Sequence, residues 1–146
     1  MKNLGLVKTG QYHVTLYVIT LLILFACSKD NDPSREEINE KLLAGSDSKT
    51  WLIISSTVNG TESLLDCVTD DYWTFKRTQQ VTRQDQTTPC TNGFPNSQSS
   101  SWNFGDDGGW LTFFGGTYEI VSITENEMKL KFPSAGKTYI DTFVKK

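Results

Sequence analysis

Met128-Lys129-Leu130-Lys131-Phe132 alternates apolar and charged residues without exception. Side chains of a strand point alternately to its two faces, so this stretch describes a strand with one dry face and one wet one. The same period of two recurs along most of the chain. Lys49 to Val58 is rich in Trp, Ile, Thr and Val and ends at the turn signal Asn59-Gly60. Tyr72 to Lys76 carries Trp73 and Phe75 on one face, and Gln80 to Gln84 is a more polar strand. Ser100 to Phe104 alternates at Trp102 and Phe104, and Asp106-Asp107-Gly108-Gly109 turns the chain into Trp110 to Phe114. Gly115-Gly116 leads to Thr117 to Thr124, Glu125-Asn126 to Glu127 to Phe132, and Lys137 to Val144 follows. Asp85 to Ser99, with Pro89, Cys90, Asn92, Gly93, Pro95 and Asn96, reads as a long loop.

Eight successive strands joined mostly by short turns imply antiparallel neighbours. The fold class expected is all-β: an eight-stranded antiparallel up-and-down barrel, which leaves no exposed edge. Two facing sheets in a sandwich are the alternative, because alternation does not distinguish them from a closed sheet. A short helix precedes the strands. Ser34 and Glu37 have capping-box spacing, Ile38, Leu42 and Leu43 follow, and Gly45 is placed to end it. The helix is expected to plug or cover one end of the barrel.

Ahead of the helix, Val14 to Ala26 is a run of thirteen mostly apolar residues, whereas a membrane-spanning helix needs roughly 20. Lys2 and Lys8 before it, Val14 to Phe25 as its apolar part and small Ala26 at its end have the layout of a secretory signal, residues 1–26. Leu24-Phe25-Ala26-Cys27 resembles a bacterial lipobox, which implies cleavage before Cys27 and lipidation of its sulfur. Acyl chains contribute about 0.8 kcal/mol per buried CH2, so an acylated Cys27 would hold the protein on a membrane. Residues 27–33 contain no apolar side chain to pack beyond that cysteine and read as a tether, leaving 34–146 as the folded domain.

Loss of residues 1–26 would remove Lys2 and Lys8 from 14 basic residues against 17 acidic ones, leaving a net charge of −5. No basic patch is evident, which argues against a nucleic-acid partner. His13, the chain's one histidine, would also be lost. A chain without histidine cannot form a Ser-His-Asp or Cys-His nucleophile or a histidine-ligated zinc site. This removes the commonest catalytic constellations and leaves carboxylate pairs; of these, Asp70-Asp71 and Asp106-Asp107 read as turn and cap residues, and no catalytic residue, metal ligand or cofactor is expected. Calcium would ask for six to eight oxygens from a spaced acidic loop, which is absent from the sequence. In an exported chain Cys67 and Cys90 are most simply a disulfide. A pair of redox-active thiols is the alternative, although 22 residues separate them.

Leu42-Leu43-Ala44-Gly45, Lys49-Thr50-Trp51, Gly60, Asp66-Cys67, Asp70-Asp71, Phe75, Cys90, Trp102 and Leu111 together resemble the small lipocalin-like lipoprotein domains of the Bacteroidota. The resemblance covers Glu36 to Lys146. It implies an eight-stranded barrel, a tryptophan near the start of the first strand packed at the closed end, and a Cys67 to Cys90 bridge. Ser46-Asp47-Ser48 departs from the tighter Gly-x-Trp of such domains. Lys29-Asp30-Asn31-Asp32 loosely resembles the surface-export signal of lipoproteins in that group, with a plain solvated linker as the alternative.

By alternation, Trp73, Phe75, Trp102, Phe104, Met128, Leu130 and Phe132 face the interior, while the inward face of the Trp110 to Phe114 hairpin strand stays open. Eight strands enclose a space that side chains fill or that holds one small ligand. Trp73, Phe75, Trp102, Phe104 and Leu130 are the candidate ligand-binding residues. The expected function is that of an outer-membrane lipoprotein of the cell envelope, not an enzyme, whose barrel binds a small apolar molecule or meets an envelope protein. The alternative is a structural or protein-interaction lipoprotein with a filled barrel. Cys27→Ser is expected to abolish acylation and release the protein from membranes in a fractionation experiment, and retention at the native level would contradict lipidation.

Overall fold

The alternation at Met128 to Phe132 becomes a strand in which Met128 and Leu130 are fully buried. Lys129 and Lys131 point outward, where they pair with Glu127 at 3.1 Å and Glu119 at 2.7 Å. The computed structural model describes residues 32–85 and 97–146. Cys27, the apolar run before it and Cys90 lie outside these residues. Among the described residues no helix is long and apolar enough to cross a membrane.

The elements are α1 (Arg35–Ala44), β1 (Ser48–Val58), β2 (Thr61–Glu62), β3 (Tyr72–Lys76), β4 (Gln80–Gln84), β5 (Ser97–Phe104), β6 (Trp110–Phe113), β7 (Gly116–Ile123), β8 (Glu127–Ser134) and β9 (Lys137–Lys145). Each of β3 to β8 pairs antiparallel with the next, and β1 pairs with β3 on one side and β9 on the other. This is a closed eight-stranded up-and-down barrel, with β2 as an extra two-residue strand beside the end of β1. The seam runs from Trp51 opposite Lys145 to Val58 opposite Tyr139. Register shifts between Ile53 and Ser55 in β1 and between Ile120 and Ser122 in β7 mark bulges, which bend a strand and strengthen its twist. Ile54 and Val121 are the residues displaced there, and both are exposed.

The helix forms as its termini dictate. Ser34 Oγ accepts from the Glu37 N–H at 3.1 Å, Glu37 Oε2 accepts from the Ser34 N–H at 2.7 Å, and Gly45 at φ 67° ends the last turn. It lies across the barrel end formed by the start of β1 and the end of β3. Leu43 and Ala44 are fully buried there. Trp51 Nε1 donates to the Leu43 carbonyl at 2.9 Å, and Lys49 Nζ donates to the Leu42 carbonyl at 2.5 Å and to Glu125 at 3.0 Å. Two inward side chains of β1 therefore satisfy carbonyls that the helix leaves without partners at its C-terminus. On the far side of the helix, Asn39 Nδ2 donates to the Gly108 carbonyl at 2.9 Å. Gly108 has φ +71°, and a Cβ there would stand 2.7 Å from the Glu36 nitrogen, so the contact requires glycine.

Ser97 to Ser99 departs from the loop expected over Asp85 to Ser99. These residues extend β5 and pair with Gln84 to Thr82. The Pro, Gly and Asn residues before this stretch carry the loop reading past its end, yet a barrel wall needs only backbone pairing and tolerates polar side chains on its wet face. Between β5 and β6 the expected turn is a 3-10 turn, Asp106–Gly108. The β6 strand turns Leu111 and Phe113 inward and leaves Trp110 exposed, which resolves the face of that hairpin.

Leu43 fills the junction of helix and barrel, so Leu43→Ala leaves a cavity and is expected to destabilise the protein by about 2 to 5 kcal/mol. Equilibrium denaturation measures this directly, and a loss below about 1 kcal/mol would contradict the packing of α1 on the barrel.

Candidate functional site

At the barrel end opposite α1, the inward side chains stop short of filling the lumen. A cavity of about 320 Å³ opens there, lined by Ile53 and Ser56 of β1, Trp73 of β3, Arg83 of β4, Phe132 of β8, and Tyr139 and Asp141 of β9. The segment after β2 completes the wall with Ser63, Leu64, Leu65 and Val68. The volume lies at the small end of the roughly 300 to 1,000 Å³ typical of small-molecule sites. Below it, Trp73 meets Phe113 at 5.7 Å and Phe143 at 6.2 Å, and Phe113 stacks on Tyr118 at 4.5 Å. This aromatic layer separates the cavity from the packed core.

The segment over the mouth is fixed at both ends. Glu62 accepts from Ser55 Oγ at 2.6 Å and from the Ser56 and Leu64 N–H groups at 3.1 Å each. Those bonds, the Ser55 hydroxyl first, hold its carboxyl below the usual range. Cys67 sits in a 3-10 turn, Asp66–Val68, and is half-buried. At the far end Asp71 is fully buried and accepts from Arg83 Nε at 2.7 Å and from Arg83 Nη2. Burial raises the Asp71 pKa, Arg83 opposes the rise, and Asp85 adds to it. Carboxylate oxygens of Asp70, Asp71 and Asp85 lie within 4.8 Å of one another, the one grouping among the described residues with the donor types for a metal ion. Arg83 already supplies a positive charge to that group through its bonds to Asp71.

Two further polar groups belong to the cavity. Trp73 Nε1 is buried without a hydrogen-bond partner among the described residues, and Arg83 lies 5.6 Å from the centre of the Trp73 ring. Asp141 points inward from β9 in line with Tyr139 and Phe143. Burial raises its pKa, offset in part by a hydrogen bond from the Ser56 side chain. Burial and then the Asp141 charge raise the pKa of Tyr118 in turn.

Of the five residues expected to bind a ligand, Trp73 lines the cavity. Phe75, Trp102 and Leu130 are buried in the core at 0, 2 and 0% exposure, and Phe104 packs on Trp102 at 5.4 Å. Trp102 also donates Nε1 to the Lys76 carbonyl at 3.0 Å, near the helix end of the barrel. Alternation identifies an inward face but not depth along the barrel axis, and these four residues lie away from the cavity wall. Asp71 exceeds the turn role expected for Asp70-Asp71, because a buried ion pair to β4 leaves no local sequence signature. Asp141 did leave one: it is a charged residue on the inward set Tyr139, Asp141, Phe143.

Compared with known proteins, the chain matches no family model and no curated sequence.

Asp141 binds a proton more readily in the folded chain than at its ordinary pKa of 3.8. The folded state then holds more protons in the window just above that value, so this residue's contribution to stability falls as pH rises through the window. Asp141→Asn is expected to raise stability near neutral pH and to leave it unchanged below the carboxylate range, as read by denaturant melts. A variant less stable than the native protein at neutral pH would contradict the burial of an uncompensated charge.

Proposed function

We propose that this protein is a membrane-tethered binding module: an envelope lipoprotein, acylated at Cys27, whose lipocalin-like barrel takes one small and largely apolar molecule in its open end. The observation that carries the reading is the cavity walled by Ile53, Leu64, Leu65, Val68, Trp73 and Phe132 with a few convergent polar groups. Small-molecule sites combine an apolar wall with sparse polar anchors in this way. The module acts by binding and not by catalysis, a reading supported by the absence of histidine after His13. Its anchoring rests on the lipobox resemblance of Leu24 to Cys27, and its place at the outer membrane, periplasmic or surface-exposed, on the likeness to the Bacteroidota lipoprotein domains.

A Cys67 to Cys90 disulfide belongs to the same proposal, since it would tie the segment over the mouth to the connection between β4 and β5. Non-reducing peptide maps of the exported protein are expected to recover the two cysteines linked, and recovery of both as free thiols would contradict the bridge.

Because Trp73 lines the cavity, an apolar probe such as N-phenyl-1-naphthylamine is expected to quench tryptophan emission saturably with one site per chain. Trp73→Phe should remove most of that response while the protein stays folded. Absence of saturable binding up to millimolar probe would overturn the ligand-binding reading in favour of a barrel that acts through its surface.

A further inference from the structure

Resting on the reading of the cavity as a ligand site, we infer that its occupant is an organic cation: a small molecule with an apolar or aromatic body and a single ammonium head directed at Asp141. The cavity wall holds two charged residues, Arg83 and Asp141. They are not equivalent. Arg83 is engaged by Asp71, and oxygens of Asp70 and Asp85 lie within 4.8 Å of the Asp71 carboxylate. Asp141 has no ion-pair partner among the described residues, and the group that meets it is the Ser56 hydroxyl. Arg83 is therefore paired with one of three clustered carboxyls, and Asp141 lines the cavity as a fourth. An anionic head would face Asp141 and have to displace Asp71 from Arg83, whereas a cationic head meets a carboxylate that nothing neutralises.

The aromatic walls favour the same charge. Phe132 and Tyr139 stack at 4.8 Å beside Asp141, and Tyr118 meets Phe132 edge-on at 5.2 Å. Ring faces attract a cation within about 6 Å and attract it more strongly when water is excluded. Arg83 already occupies a place over Trp73, so the open position for a second cation is on the Phe132 and Tyr139 side. An inward carboxylate without a cationic partner does nothing for the barrel's own packing, because burying a charge costs free energy unless it is compensated. A bound ammonium group would supply the compensation.

The test uses three probes with one hydrocarbon chain and different heads, n-octylammonium, n-octanol and n-octanoate, titrated calorimetrically into the native protein and the Asp141→Asn variant near neutral pH and at low salt. Octylammonium is expected to bind at least about tenfold more tightly than octanoate and more tightly than octanol. In the variant its advantage over octanol should vanish while octanol keeps its affinity. Equal or tighter binding of octanoate or octanol to the native protein would overturn the cationic class and leave the cavity reading standing. An ammonium preference that survives Asp141→Asn would overturn the role of Asp141. Failure of all three probes to bind at millimolar concentration would remove the ligand site and this inference together. The native-protein comparison decides the charge class whether or not the variant folds.

Discussion

The hydrogen-bonded seam between β1 and β9 is the constraint on which the rest of the structure depends. A strand at a sheet edge exposes unpaired backbone donors and acceptors, and joining the first long strand to the last removes both edges at once. The same seam sets the depth of the inward residues of both strands. With Trp51 opposite Lys145 and Val58 opposite Tyr139, the Trp51 ring falls at the helix end and Tyr139 at the mouth. β1 pairs with β3 from Ser48 to Leu52 and with β9 from Trp51 to Val58, and the bulge after Ile53 bends it where it passes from one partner to the other.

The two ends of the barrel use their polar groups differently. At the helix end, Lys49 and Trp51 carry their donors to the carbonyls of Leu42 and Leu43, so buried polar atoms become the joint between helix and sheet. Lys49 reaches Glu125 as well, whose carboxyl is held below the usual range first by that hydrogen bond and then by the Lys49 charge. At the mouth, no helix among the described residues covers the lumen. Glu62 and the Asp71 to Arg83 pair fix a nine-residue connection, 63–71, across one side of it, and Asp141 faces the space that remains. One end is satisfied from within the chain and the other is left with polar groups toward an apolar cavity, and that asymmetry is the physical basis of the binding proposal.

Much of this was legible in the sequence for one reason: a strand with one dry face writes a period of two. Met128 and Leu130 against Lys129 and Lys131 is the clearest instance, and the capping box at Ser34 and Glu37 is its counterpart for the helix. Closure was not legible, because pairing between residues 48–58 and 137–145 has no local signal and a sandwich would share the same alternation. Depth was not legible either. Phe75, Trp102 and Leu130 share their inward face with Trp73, and only the barrel's three-dimensional register separates core from cavity wall. Ser97 to Ser99 reads as loop because the Pro, Gly and Asn residues just before it signal turns and no apolar alternation marks where the strand begins, whereas pairing with β4 satisfies its backbone. The Arg83 to Asp71 pair depends on two side chains twelve residues apart meeting across β3 and β4.

Closure of the sheet is the claim from which the cavity, its lining and its charge all follow. Amide hydrogen exchange of the native protein, resolved by residue, tests it most directly. The account predicts that amides of β9 and of the second half of β1, from Ser55 to Val58, exchange as slowly as those of the interior strands β7 and β8. Fast exchange along both β1 and β9, as two open edges would show, would contradict the barrel and the site built at its mouth.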